Sequence, residues 1–289
     1  MSDVKRPTPR LAFGGGEPVA GNRTLPEEVA VALSFNGSTH AVMMATPADL
    51  TDFAYGFALT EGIARPDEIE SVEQVETPRG IDVQIWLTDP AADRQAKRRR
   101  TMAGPVGCGL CGLDSLDQAL RDPAPVPPSR LRLSPAQIMQ AIAALPGHQP
   151  LHDATRAVHA AGFYAPAAGG ASPPGPPEDI WVQKEGGAGH LVAVREDVGR
   201  HNALDKLVGA LIRQPRVEGA VVLTSRVSID MVQKCAALGA PMLIAVSAPT
   251  AHAVRLAEQA GITLIALARP DRFEAFTHTD RIEGAVHVR

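Results

Sequence analysis

Residues 219–272 read "GAVVLTSRVSIDMVQKCAALGAPMLIAVSAPTAHAVRLAEQAGITLIALARPDR". Three apolar runs, GAVVLT, MLIAVS and ITLIALA, alternate with two stretches of helical spacing. The first, IDMVQKCAALG, stops at Gly239; the second, TAHAVRLAEQAG, has Thr250 as cap and Gly261 as stop. Near-continuous apolar strands separated by helices predict a largely parallel sheet covered on both faces. Upstream, HLVAVREDVGRHNALDKLVGALI adds a strand and a helix that buries Ala203, Leu204, Leu207, Val208, Leu211 and Ile212.

The strand ends carry the chemistry. The three runs finish in Ser225-Arg226, in Ser247 and in Arg269-Pro270-Asp271-Arg272, all at the carboxyl edge where open α/β sheets bind ligands. Two of these ends lead into helix N-termini, whose free N–H groups favour anions. The edge is therefore a candidate phosphate site. The plainer alternative is a set of ordinary caps and solvated arginines.

Toward the N-terminus, two β-rich runs flank Asn36-Gly37, a hairpin signal. A helix follows, capped at Thr46-Pro47, with Leu50, Phe53, Ala54, Phe57 and Ala58 on one face. IESVEQVETPRGIDVQIWL then alternates as two further strands. The organisation expected is a disordered lead-in over residues 1–24, a smaller α+β domain over 25–128, and an α/β domain over 129–289. The proline-rich DPAPVPPSR links the two domains, and PAAGGASPPGPPED is an insertion loop.

Composition sets the context. The chain has 289 residues, 45% of them hydrophobic, and a formal net charge of −4. It can bury a sizeable core and gives no electrostatic reason to bind nucleic acid. No run approaches the roughly 20 apolar residues of a membrane helix, and the N-terminus lacks a signal-peptide apolar core, so a cytoplasmic location is expected.

Of the three cysteines, Cys108 and Cys111 lie in GPVGCGLCGLDS, behind the basic run KRRR. In a reducing compartment such a pair is redox-active, metal-binding or catalytic rather than a structural bridge. Zinc would need four ligands, and only Cys235 and scattered histidines remain, so no structural metal is expected. A thiol–disulfide oxidoreductase is a rival reading, because a CxxC lowers the pKa of its first thiol at a helix start. Glycines at 104, 107, 109 and 112 with Arg98, Arg99 and Arg100 instead suit a mobile arm presenting a thiolate or persulfide.

GCGLCG, REDVGRHNALDKL, the long stretch from Leu223 to Arg269 and VALSFNGSTHAVMMATPADLTDFAYGFALTEGI together resemble the FdhD family, the formate dehydrogenase accessory sulfurtransferases. The resemblance runs from about residue 25 to the end. It implies a carrier that takes sulfur from a cysteine desulfurase and passes it to the molybdenum cofactor, in its bis-guanine-dinucleotide form, for formate dehydrogenase. It also implies a homodimer and a cytidine-deaminase-like C-terminal α/β/α domain. By the family pattern Cys108 carries the persulfide, Cys111 assists, and Leu267, Ala268, Arg269, Pro270, Asp271 and Arg272 help bind the guanine nucleotide part of the cofactor. Deaminase chemistry does not follow, because the H-x-E and P-C-x-x-C signatures are absent around His159 and Cys108. A non-catalytic cofactor chaperone is the remaining alternative. Where the family has a Thr-Gly-Gly turn before the matching histidine, this chain reads TRAVH, Thr155 to His159. His201 and Asn202 fall in a helix's first turn, where ligand contact and N-capping by Asn202 are both open.

Overall fold

The computed structural model describes residues 3–99, 123–166 and 189–285. Strands β1 (Lys5–Ala12) and β2 (Val19–Pro26) pair antiparallel as a separate two-stranded sheet. This corrects the expectation of a disordered lead-in over 1–24. Pro7 and Pro9 are two residues apart, so their missing N–H groups fall on one side of the strand, and a two-stranded sheet leaves one side of each strand without a partner.

Strands β3 (Val29–Phe35), β4 (Ser38–Ala45), β5 (Ile69–Thr77) and β6 (Gly80–Leu87) form a four-stranded sheet in the order β4-β3-β6-β5. Asn36 and Gly37, with φ of 47° and 74°, make the predicted turn between β3 and β4. Helix α1 (Leu50–Thr60) covers one face, packing Phe53 and Phe57 on Val31, Leu33, Phe35, Val83 and Ile85. The helix starts at Leu50 after Asp49, not at the predicted Thr46-Pro47 cap. Thr46 is drawn away by the second sheet: its N–H donates to Asp197 Oδ2 at 3.0 Å, and its hydroxyl accepts from Val198 N–H at 3.1 Å. Helix α2 (Asp89–Arg99) closes this part of the chain.

The second sheet has six strands in the order β12-β11-β10-β9-β7-β8. These are β7 (His159–Ala165), β8 (His190–Asp197), β9 (Ala220–Leu223), β10 (Met242–Ala245), β11 (Thr263–Arg269) and β12 (Arg272–Ala275). The β9–β10 and β10–β11 pairings are parallel, while β7–β8, β7–β9 and β11–β12 are antiparallel. The expectation of a largely parallel sheet therefore holds only at its centre. Its basis was the 219–269 repeat, which spans only the three parallel strands. β12 returns through the Pro270-Asp271 turn, and β7 enters the sheet head-down beside β9.

Helices α3 (Pro135–Ala144) and α4 (Pro150–Thr155) precede β7; α5 (Arg200–Ile212), α6 (Ile229–Leu238) and α7 (Ala251–Ala260) follow β8, β9 and β10. Leu204, Leu207, Met231, Val232, Leu256 and Ala257 join one core layer with Val221, Leu243 and Leu264. Ile138, Ala141, Ile142 and Leu145 fill the opposite face against Val222, Ile244 and Ile265. Gly239 (φ 76°) and Gly261 (φ 73°) end α6 and α7 as predicted, and the Thr250 side chain accepts from Ala253 N–H.

The two sheets are joined by α1 crossing α5 at glycine. A Cβ on Gly56 would stand 1.7 Å from the Asp205 carbonyl oxygen, and one on Gly209 1.8 Å from that of Asp52. Only hydrogen fits there. Arg195 reaches across to Asp52 through Nε at 2.9 Å and Nη2 at 2.7 Å, and Arg213 Nη1 reaches the other Asp52 oxygen at 2.7 Å.

Candidate functional site at the carboxyl edge

Parallel register places the ends of β9, β10 and β11 side by side, so the sequence-predicted strand ends do share one edge. Ser225 is buried and its hydroxyl donates to the Arg226 carbonyl, while the Arg226 side chain is exposed. Leu267 takes a left-handed φ of 51° within an irregular step of the β11–β12 register, and its N–H donates to Ser247 O. Arg269 Nη1 donates to Val246 O at 2.6 Å and Ala268 O at 2.8 Å, which pins the bulge. Pro270 and Asp271 form an exposed turn into Arg272, the exposed first residue of β12, and Ala268 is buried. Of the predicted residues, Arg226, Arg269 and Arg272 are all exposed at the edge, but Arg269 is tied to backbone carbonyls, and the Ser225 hydroxyl is buried and bonded to backbone. Cys108 and Cys111 lie outside the described residues.

The edge extends further than the sequence suggested. The register Ala161↔Leu223 carries His159 alongside Ser225, and His159 pairs on its other side with Asp197. Next to it, the first turn of α5 presents Arg200 and His201. His201 Nε2 contacts the Asp230 carboxylate at the start of α6. Burial alone would raise the Asp230 pKa, but the hydrogen bond and charge of His201 outweigh it and hold the carboxyl at about 2. His159 is held below the usual imidazole range, first by burial and then by the positive charge of Arg200 and its histidine neighbours.

The motif REDVGRHNALDKL has a second role at the junction between the sheets. Asp197 Oδ2 accepts from Lys206 Nζ at 2.6 Å and from Thr46 N–H; its Oδ1 accepts from Gly199 N–H at 2.7 Å and Asn202 Nδ2 at 3.0 Å. Asn202 also donates to Met44 O, and Lys206 to Thr46 O. Asn202 is therefore neither the cap, which is Gly199, nor turned to a ligand. One turn on, Asp205 accepts from Thr60 Oγ1 at 2.7 Å and from Lys234 Nζ, which also reaches Glu61. Burial opposes the Lys234 charge, but Asp205 and Glu61 more than compensate and keep it protonated.

Cys235, on α6, is fully buried, and burial pushes its thiol up to about 12. The chain segment that follows the CxxC enters the fold at the opposite end of the strands. Val126 N–H donates to Ala260 O, and Pro127 lies against Gly239, both at helix C-termini. No helix among the described residues is long and apolar enough to cross a membrane.

The six-stranded sheet, its helices and the flanking four-stranded sheet have a counterpart in a crystal structure described as a formate dehydrogenase accessory protein from Desulfotalea psychrophila. That structure superposes with a TM-score of 0.68 over 97% of this chain and 100% of the other, at 24% identity. At the sequence level the chain is 51% identical over 276 residues to the sulfur carrier protein FdhD of Agrobacterium fabrum, covering 94% of each. It is 48% identical over 264 residues to the protein of the same name from Brucella abortus, covering 90% of each. The FdhD/NarQ family profile matches residues 26–171 and 182–283, a span that includes the four- and six-stranded sheets, the junction motif and the carboxyl edge, and the chain belongs to that family.

Proposed function

We propose that the protein is a sulfur carrier of the sulfurtransferase type, serving formate dehydrogenase in the cytoplasm as a homodimer. Cys108 takes sulfur from a cysteine desulfurase, Cys111 assists, and the sulfur passes to a molybdenum cofactor bearing guanine dinucleotides, which is the cargo. In the loading step the Cys108 thiolate attacks the outer sulfur of the donor's persulfide. The donor leaves as a thiolate, and Cys108 keeps the outer sulfur with its proton. The C-terminal unit is proposed to follow the cytidine-deaminase-like plan, which its helices on both faces of the six-stranded sheet support.

The observation that carries this reading is the state of Cys235. A thiol buried in the core and pushed up to about 12 supplies no thiolate at neutral pH, so sulfur chemistry falls to Cys108 and Cys111. The relatives named sulfur carriers support the same assignment. At the carboxyl edge, Arg226 and Arg272 offer guanidinium groups to the diphosphate of a guanine nucleotide.

Mass spectrometry after incubation with a desulfurase and cysteine tests the carrier. One sulfur, about 32 Da, is expected on Cys108 in the parent protein and in Cys235→Ala, and none in Cys108→Ala. Loading that persists without Cys108 overturns the assignment. Titration with GDP tests the edge: Arg272→Ala is expected to weaken binding roughly ten- to a hundredfold while persulfide loading is retained. Unchanged affinity removes Arg272 from the site.

A further inference from the structure

Around the first turn of α5, the carboxylates are already committed. Asp197 accepts from Lys206, Thr46, Gly199 and Asn202; both oxygens of Glu196 accept backbone N–H groups, from Leu151 and His152; Asp230 is held against His201. The cations are not so matched. Arg200 Nε is buried without a hydrogen-bond partner among the described residues, and no acidic residue stands in the first turn of α5. His159, at the start of β7, pairs with Asp197, whose carboxylate accepts from the Gly199 N–H next to Arg200, and lies in line with Ser225 on the sheet edge. A buried guanidinium nitrogen without an acceptor is costly, and an anion in this corner would supply the acceptor.

We propose that Arg200 and His159 form a phosphate subsite on the carboxyl edge, and that a phosphate bound there brings a proton onto His159. This rests on the reading that a nucleotide's phosphates occupy the edge, and it assigns to them residues outside the 225–226 and 267–272 segments.

The proton linkage follows from the surroundings of His159. Burial and the charges of Arg200 and His201 on α5 and His152 on α4 disfavour the imidazolium; Asp197 on β8 favours it, but less. The ring is therefore neutral near pH 7 in the free protein. A phosphate dianion reverses the balance: neutral His159, one proton from solvent and the dianion combine to an imidazolium–phosphate pair. Affinity then rises as pH falls from 8 toward 6, by at most about tenfold per pH unit for one proton.

The test is titration calorimetry of the full-length protein with GDP and, separately, with inorganic pyrophosphate, at pH 7 in two buffers of different ionisation enthalpy. The expected result is net proton uptake of up to one per ligand in the parent protein. It should vanish in His159→Gln, with GDP affinity at least about tenfold lower in Arg200→Gln. The parent measurement needs no variant, so a failure of either variant to fold leaves the proposal testable. GDP binding without proton uptake overturns the linkage. Binding that is lost in Arg272→Ala but unchanged in Arg200→Gln overturns this subsite while sparing the edge. Absence of binding by both ligands to the parent overturns the edge and the subsite together.

Discussion

Replacing Gly56 by alanine tests how the two sheets are held. In an ordinary helix interior the change would stabilise by up to about 1 kcal/mol, because alanine is the better helix former. Here the new methyl would lie 1.7 Å from Asp205 O, 2.6 Å from Asp205 C and 2.9 Å from Gly209 N. All three are backbone atoms, so no rotamer change relieves the clash. Reaching ordinary contact requires α1 and α5 to separate by roughly 1.5 Å or more. That movement also stretches the Thr60–Asp205 bond of 2.7 Å and pulls Glu61 away from Lys234. Overpacking costs about 1–3 kcal/mol and damage to a buried ion pair about 3–5 kcal/mol. The two share one displacement and do not add, so the expected loss is about 3–5 kcal/mol out of a typical 5–15 kcal/mol. Urea denaturation followed by circular dichroism measures it, with Gly147→Ala as control because nothing lies within 4 Å of its Cβ position. Gly209→Ala should behave like Gly56→Ala. A Gly56→Ala midpoint equal to or above the parent's would refute the close crossing.

Two further outcomes follow from the site's surroundings. Asp230 is depressed from its ordinary 3.8 to about 2, so its contribution is present above pH ~4 and is lost as pH falls through about 2; acid unfolding should cost the parent about 2 kcal/mol more than Asp230→Asn over that window, and parallel curves would contradict the His201 pairing. Arg156 sits at φ 59°, so Arg156→Gly should be more stable than Arg156→Ala by about 1 kcal/mol; both lose the exposed Asp153 pair, and equal melting temperatures would show that the left-handed turn carries no strain.

The TRAVH departure shows what sequence could and could not reveal. Arg156 there takes a left-handed φ of 59°, a conformation that glycine adopts more readily than arginine. The 219–269 repeat gave its strands, helices and caps because period and punctuation are local signals. β12 is a four-residue return of β11, and β7 takes its place from β8 and β9, which lie about 30 to 60 residues further along the chain, so the mixed character of the sheet was not legible. Thr46 looked like a cap because Thr-Pro often is one; its partners, Asp197 and Val198, are about 150 residues away. The crossing at Gly56 and Gly209 is equally invisible in the residue pattern, because the backbone each glycine admits belongs to a helix about 150 residues away. For the site, the strand-end arginines were visible from their position after apolar runs. Which guanidinium is spent on backbone carbonyls, as Arg269 is, depends on the bulge at Leu267 and left no mark in the residue pattern.

The junction and the edge are mechanically one object because both hang on Asp197. Its Oδ2 binds Lys206 and the Thr46 N–H, which belongs to the connection between β4 and α1. Its Oδ1 binds the Gly199 N–H that caps α5 and the Asn202 side chain. The direction in which α5 starts is thus set by a carboxylate whose other oxygen is held by the N-terminal unit. Arg200 and His201 occupy the turn immediately after that cap, so the reach of the Arg200 charge to His159 and the contact of His201 with Asp230 depend on the same carboxylate. Lys206 is fully buried, and its ammonium donates to Asp197 Oδ2 and Thr46 O and lies over the Phe53 ring. Removing the N-terminal unit would strip Lys206 of one acceptor and Asp197 of one donor, at the cost of uncovering a buried charge pair. The first turn of α5 would then lose its fixed start. The anion binding proposed for the carboxyl edge is therefore expected of the whole chain, and an isolated C-terminal fragment would report on a different surface.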